Sequence, residues 1–266
     1  NKVYKYPDAK SLVICGDIHG DFVPLVYEIT MRYGMRDTLV IVAGDCGFGF
    51  EKPDAYNNIF RRIEKRLVQN NCWIAMVRGN HDDPAYFELQ ADGNTLIHHA
   101  RWQTVPDYAV IKACGRMVLC VGGAVSVDRQ IRMREMERHL GKRYYWPNET
   151  VRYDAEALEA IRDAGLKVDT VVTHTAPSMC EFQSKQGLAT WAQCDATLLD
   201  DCNAERAAMD DIIVHLKHDK HPLERWYYGH FHNSWHSEID GVWFKMLDIM
   251  ELLEVPRIVN EKLSKM

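Results

Sequence analysis

The chain has 266 residues, 47% of them hydrophobic and 26% charged, with a formal net charge of -6. That composition supports a substantial folded core and excludes a disordered chain. Mild acidity also argues against a non-specific nucleic-acid coat, which works by neutralising phosphates with Lys and Arg.

No apolar run reaches the about 18 residues that a membrane helix needs. The start, Asn1 to Lys10, is polar and lacks the apolar stretch of a secretory signal. The eight cysteines make no Cys-x-x-Cys pair, and several sit in strand-like runs such as Val13-Ile14-Cys15 and Val118-Leu119-Cys120. They read as free thiols of a cytoplasmic protein rather than as a zinc ribbon.

In chain order, the apolar run Ser11–Cys15 leads into Gly16-Asp17, and a helical pattern over Asp21–Tyr33 stops at Gly34. Thr38–Ala43 leads into Gly44-Asp45, and a helix over Asp54–Gln69 takes Asp54 as its cap. Cys72–Val77 then leads into Arg78-Gly79-Asn80-His81. Tyr108–Ala113 and Met117–Val121 flank Cys114-Gly115-Arg116 as a hairpin. A charged helical insert follows over Arg129–His139, within a rim segment of about residues 125–148. The next helix spans Glu149–Ala164, capped by Thr150 and ended at Gly165. Val168–Thr173 runs into His174, a loop covers Pro177–Leu188 (about residues 176–190), and a further helix covers Ala204–His218. Arg225–Tyr228 runs into Gly229-His230, and a last hairpin turns at Asp240-Gly241 between His236–Ile239 and Val242–Leu247. Short Val- and Ile-rich strands alternating with helices predict an α/β fold with parallel strands in mixed sheets, and no linker divides it, so a single domain over residues 1–266 is expected.

In such sheets the active site collects beyond the carboxyl ends of the strands. Standing there are Asp17, His19, Asp45, Asn80, His81, His174, His230 and His232, delivered by five separate strands. Carboxylates and imidazoles suit Mn, Fe or Zn, an Asp can bridge two cations, and an Asn carbonyl completes a shell without adding charge. Two such cations roughly 3.5–4 Å apart activate water and clamp both attacking and leaving oxygens. Each piece alone reads as turn chemistry or as surface histidines; their ordered recurrence at strand ends points to a metal centre.

The series Gly16-Asp17-Ile18-His19-Gly20, Gly44-Asp45, Gly79-Asn80-His81-Asp82, Thr173-His174 and Gly229-His230-Phe231-His232 resembles the calcineurin-like metallophosphoesterase superfamily. In style the motifs are nearest to Ser/Thr phosphoprotein phosphatases and diadenosine tetraphosphate hydrolases. The resemblance implies a four-layer αββα sandwich with a dinuclear site. One metal would be held by Asp17, His19 and His232, the other by Asn80, His174 and His230, with Asp45 bridging. His81 would protonate the leaving oxygen or stabilise phosphoryl charge. The second motif departs from those branches, reading Gly44-Asp45-Cys46-Gly47-Phe48-Gly49-Phe50 without their usual Asp and phosphate-binding Arg. Arg129 or Arg132 of the insert is the expected substitute, with Arg78 and Asn80 as further substrate-binding candidates. Tyr144-Tyr145-Trp146-Pro147 is either a stacking surface for a substrate or sheet packing, and His98, His99, His215, His218, His221 and His236 are surface or capping residues.

The implied activity is metal-dependent hydrolysis of phosphomonoesters, with phosphoprotein among the substrates. Nucleotide or dinucleoside polyphosphate hydrolysis and phosphodiester or nuclease activity are the alternative reactions. A catalytically silent metal-binding scaffold is the alternative outside enzymes. No membrane partner and no strong nucleic-acid partner is expected.

Overall fold

The computed structural model describes residues 1–139, 142–180 and 185–257. Its first strands are β1 (Val3–Tyr6), β2 (Ser11–Cys15), β3 (Thr38–Val42), β4 (Trp73–Met76) and β5 (Trp102–Thr104). They are followed by β6 (Ala109–Ala113), β7 (Arg116–Val121), β8 (Thr170–Thr173) and β9 (Arg225–Tyr228). The last are β10 (Trp235–Ile239), β11 (Val242–Met246) and β12 (Leu252–Glu254). The helices are α1 (Phe22–Tyr27), α2 (Pro53–Asn70), α3 (Arg129–Arg138), α4 (Ala155–Asp163), α5 (Lys185–Ala192) and α6 (Leu198–His218).

Among the described residues the strands form two mixed sheets, ordered β12-β2-β3-β4-β5 and β1-β6-β7-β8-β9-β11-β10. In the smaller sheet β2, β3, β4 and β5 are parallel and β12 is antiparallel to β2. The larger has a parallel centre of β7, β8, β9 and β11, with β6 and β10 running antiparallel to their neighbours β7 and β11. Side chains on a strand point alternately to the two faces, so strands covered on both sides must be apolar throughout. Accordingly, Leu12 and Ile14 of β2 pack between the sheets with Ile111, Val118 and Val172, whereas Val13 and Cys15 pack outward against Phe22, Leu25, Phe60 and Leu67 of α1 and α2. On the far side Leu119, Val171, Trp226 and Phe244 pack against Leu158 and Ile161 of α4 and Met209, Ile212 and Leu216 of α6. This is the expected four-layer αββα sandwich.

Both hairpins form where the turn chemistry indicates. Cys114-Gly115 and Asp240-Gly241 have positive φ at both central residues, matching the twist of two-residue hairpins. Helix boundaries differ in informative ways. α1 starts one residue later than expected and passes into a wider π-helical turn over Glu28–Arg32. Asp54 lies in the first turn of α2, with Pro53 ahead of it and Lys52 at the cap. The helix expected over Glu149–Ala164 begins only at Ala155, capped by Asp154 through Ala157 N, and Thr150 does not cap it. Glu149 and Arg152 are instead drawn into tertiary hydrogen bonds, with Ser126 and with the Tyr108 hydroxyl. α6 begins six residues before the expected Ala204. The predicted loop over 176–190 is helical from Lys185, and its residues 181–184 lie outside the described residues. His139 closes α3, as the insert's pattern anticipates.

Candidate metal centre

Five parallel strands, β2, β3, β4, β8 and β9, end around one point, and the loops beyond them carry the polar residues singled out above. The backbone there is unusual. His19, Asp45, His230 and His232 have φ of 43°, 47°, 70° and 48°. Non-glycine residues adopt this left-handed region at a cost of about 1–2 kcal/mol each, and it recurs at functional sites. Close approach explains the neighbouring glycines. A Cβ at Gly79 would lie 2.1 Å from Asp45 Oδ1, and one at Gly229 2.1 Å from Asp17 Oδ1.

The donor atoms converge. Ligand atoms of Asp17, His19, Asp45 and His232 all lie within 4.8 Å of one another. Asp17 is fully buried; its Oδ1 accepts from His230 N at 3.0 Å, and its Oδ2 stands 3.1 Å from His232 Nε2 without a well-aligned hydrogen bond. His19 Nε2 is 3.1 Å from His232 Nε2. On the other side of Asp45, His174 Nε2 lies 3.1 Å from Asp45 Oδ1 and 2.9 Å from Asn80 Oδ1. The His174 and His230 rings are 4.9 Å apart. His174 Nδ1 donates to the Ala43 carbonyl at 2.7 Å, which turns Nε2 toward Asp45 and Asn80.

The electrostatics suit a cation. Burial lowers the proton affinity of His174, but Asp45 and Asp17 outweigh it and raise the pKa to about 10. Burial likewise opposes ionisation of Asp45, yet His174, His81 and His19 hold it well below the usual carboxylate range. The Asp17 carboxylate facing it raises the proton affinity of His232. His230 is pushed well down, first by burial and then by His174. A field that binds protons this strongly favours divalent cations in their place. The orphaned Asp17 oxygen and the mixed carboxylate, imidazole and amide set therefore fit a resident metal.

Further buried residues hold this cluster in place. Asp82 is buried and accepts four backbone N–H bonds, from Cys46 and Gly79 on Oδ2 and from Gly47 and Phe48 on Oδ1. It thereby ties the Asp45 loop to the Asn80 loop. Asn80 Nδ2 donates to Ser126 Oγ at 2.9 Å, and Ser126 in turn donates its hydroxyl and its N–H to Glu149, both at 2.7 Å. Glu205, also buried, accepts from Val125 N and from the Thr175 hydroxyl beside His174. Asp82 had a signal in following His81. Ser126, Glu149 and Glu205 had none, because they reach the cluster across 46, 23 and 30 residues of chain.

The arginines separate. Arg132 hydrogen-bonds His81 Nε2 and so stands at the edge of the cluster. Arg129 is engaged by Asp195, Thr197 and Asp201, and Arg78 by Glu149 O, Gly122 O and Asp107, so that both guanidinium groups are held by partners outside the cluster. His81 also has Nδ1 3.3 Å from Asp45 Oδ2. Trp146 is buried against Phe50, so that aromatic packs rather than presents a surface. His99, His215, His218 and His221 bond Asn57, Tyr153, Asp219 and Val168 N, in keeping with local structural roles.

The family model described as calcineurin-like phosphoesterase matches residues 10–234. The chain belongs to the calcineurin-like phosphoesterase family. As a member it is a phosphoester hydrolase by descent, with a cluster of Asp and His residues able to hold a metal. None of the curated proteins matches this sequence. Solved structures similar to this family member include TT1561 of Thermus thermophilus, at 14% identity and a TM-score of 0.49, over 93% of this chain and 98% of that one. Phosphopantetheinyl hydrolase (PptH) of Mycobacterium tuberculosis is similar at 15% identity and a TM-score of 0.44, over 93% and 96% of the two chains.

Proposed function

We propose that this chain is a phosphomonoesterase that works with two divalent cations of the Mn, Fe or Zn type. Asp17, His19 and His232 would hold one and Asn80, His174 and His230 the other, with Asp45 shared. When bound, the cations supply an activated water and charge stabilisation at phosphorus. The observation that carries the reading is the convergence of these seven side chains at five strand ends, with one guanidinium, Arg132, facing them through His81.

The chain's own groups then divide the work. Arg132 binds the phosphoryl dianion, the role an arginine of the second motif would otherwise fill. As it stands His81 is neutral at pH 7, its pKa lowered to about 4 by burial, with Asp45 opposing and Arg132 reinforcing. A dianion that takes over Arg132 removes that bond and sets negative charge beside the ring, which raises its proton affinity. His81 can then deliver a proton to the departing alkoxide oxygen. Eight cysteines without a disulfide, and no described helix long and apolar enough to cross a membrane, support the cytoplasm as the place of action.

The test is hydrolysis of p-nitrophenyl phosphate and of bis-p-nitrophenyl phosphate after chelation and re-addition of Mn²⁺, with His81→Ala as control. Metal-dependent monoester turnover, reduced about 10²–10⁴-fold in the control while Mn²⁺ still binds, is the expected result. Preference for the diester, or bound metal with no turnover of either, would refute the proposal.

A further inference from the structure

A recess of about 430 Å³ opens between the carboxyl end of the large sheet and the helices α5 and α6. Its walls include Val125 and Val127 from the loop after β7, Leu188 and Trp191 from α5, and Phe231 beyond β9. His230 belongs to this wall and to the metal cluster alike, and its ring lies 4.7 Å from that of Phe231. The recess therefore begins where the cluster ends.

Polar groups on its other side have internal assignments. Glu205 is bonded to Val125 N and Thr175, and Arg206 lies over the Phe231 ring at 5.1 Å and donates to Ala176 O. The bonds of Glu205 also fix Val125 in the wall, so that this face is held in shape by a buried carboxylate. Apolar walls with a few polar groups at one side, at this volume, are the usual make-up of a small-molecule site.

Resting on the phosphomonoesterase reading above, we infer that the recess receives the leaving group of the substrate, and that this group is a compact apolar or aromatic organic substituent. With the phosphoryl group at the cluster, the substituent on its ester oxygen must extend away from the cations, and the apolar wall reached through His230 and Phe231 is the surface that would bury it. A recess of this size takes one such substituent and not the extended backbone on both sides of a phosphoserine.

Two esters test this with equal chemistry. Ethyl phosphate and 2-phenylethyl phosphate both release primary alkoxides, so their intrinsic reactivity is alike and a difference reports the phenyl ring. The expected result with Mn²⁺ is a kcat/KM ratio on the order of 30 in favour of the phenyl ester, the scale at which hydrophobic pockets discriminate. Trp191→Ala should reduce that ratio to about 3, and Val127→Trp, which fills the recess, should bring it to about 1. Calorimetric binding of 3-phenylpropyl phosphonate should weaken in the same order, without turnover. Metal-dependent hydrolysis of both esters at equal kcat/KM, or a ratio that neither variant changes, overturns the inference and leaves the phosphomonoesterase reading intact. Silence on both esters by protein that binds Mn²⁺ overturns the two together.

Discussion

Replacing Glu149 with Gln exchanges one oxygen for an NH₂ in a side chain 2% exposed, with almost no change of volume. Its effect should be felt two hydrogen bonds away. An ionised Glu149 can only accept, so Ser126 must donate both its N–H and its hydroxyl to it. The Ser126 oxygen is then left as an acceptor, Asn80 must turn its NH₂ to it, and Asn80 Oδ1 faces His174 as a ligand atom. In Glu149→Gln the amide oxygen still accepts from Ser126 N, but its NH₂ donates to the Ser126 hydroxyl. That hydroxyl can now donate to Asn80, and the Asn80 amide is free to invert. The orientation loses about one hydrogen bond of preference, about 1–1.5 kcal/mol, or roughly tenfold in Mn²⁺ affinity. Burial raises the Glu149 pKa to about 8, against the pull of its Ser126 bonds, and bound cations lower that midpoint. Calorimetric Mn²⁺ titrations should therefore show wild type about tenfold tighter than the variant at pH 8.5, with the ratio falling toward one at pH 6. Stability should move the other way. A carboxyl whose folded pKa lies above its unfolded value holds its proton more tightly when folded, so its contribution is present at low pH and is lost as pH rises from about 4.5 to about 8. The Gln variant lacks that slope. Equal Mn²⁺ affinity of the two proteins at pH 8.5 would refute the relay.

Other expectations follow from the same geometry. Asp82→Asn sets an NH₂ against two of the four backbone donors that the carboxylate serves, and should destabilise the fold by about 3–5 kcal/mol in urea titration; a loss under about 1 kcal/mol would contradict the role assigned to it. At His232, with φ of 48°, Gly relieves backbone strain that Ala retains. The Gly variant should be the more stable by about 0.5–1 kcal/mol, and the reverse order would mean the strain is absent. Arg132→Ala removes a cation that disfavours the imidazolium form of His81, so the His81 titration followed by NMR should move up from about 4; an unmoved titration would show that Arg132 does not govern this ring.

The layering of this protein was legible in its sequence because strands buried on both faces are apolar through their interiors, as Leu12–Cys15, Leu39–Val42 and Val171-Val172 are. The metal-binding candidates were legible for a related reason: each sits directly beyond a strand, so the topology of parallel sheets alone brings Asp17, Asp45, Asn80, His174 and His230 to one end. The hairpins at Cys114-Gly115 and Asp240-Gly241 were equally local, since two residues of positive φ suffice to write them.

Tertiary structure decided whatever depends on partners distant in the chain. Three arginines of similar local appearance have separate fates, because Asp195 and Asp201 draw Arg129 away, Glu149 and Asp107 hold Arg78, and Arg132 alone is left beside His81. Glu149 looked like the first turn of a helix and is instead the end of a relay to Asn80, since a buried carboxylate with two Ser126 donors outweighs the weak pull of helix propensity. The recess between the large sheet and α5 and α6 has no counterpart in any short stretch of sequence; its walls come from five segments, and only packing brings them to face one another. Periodicity and turn chemistry act over a few residues and can be read along the chain, whereas the pairing of buried charges is settled by distance in space.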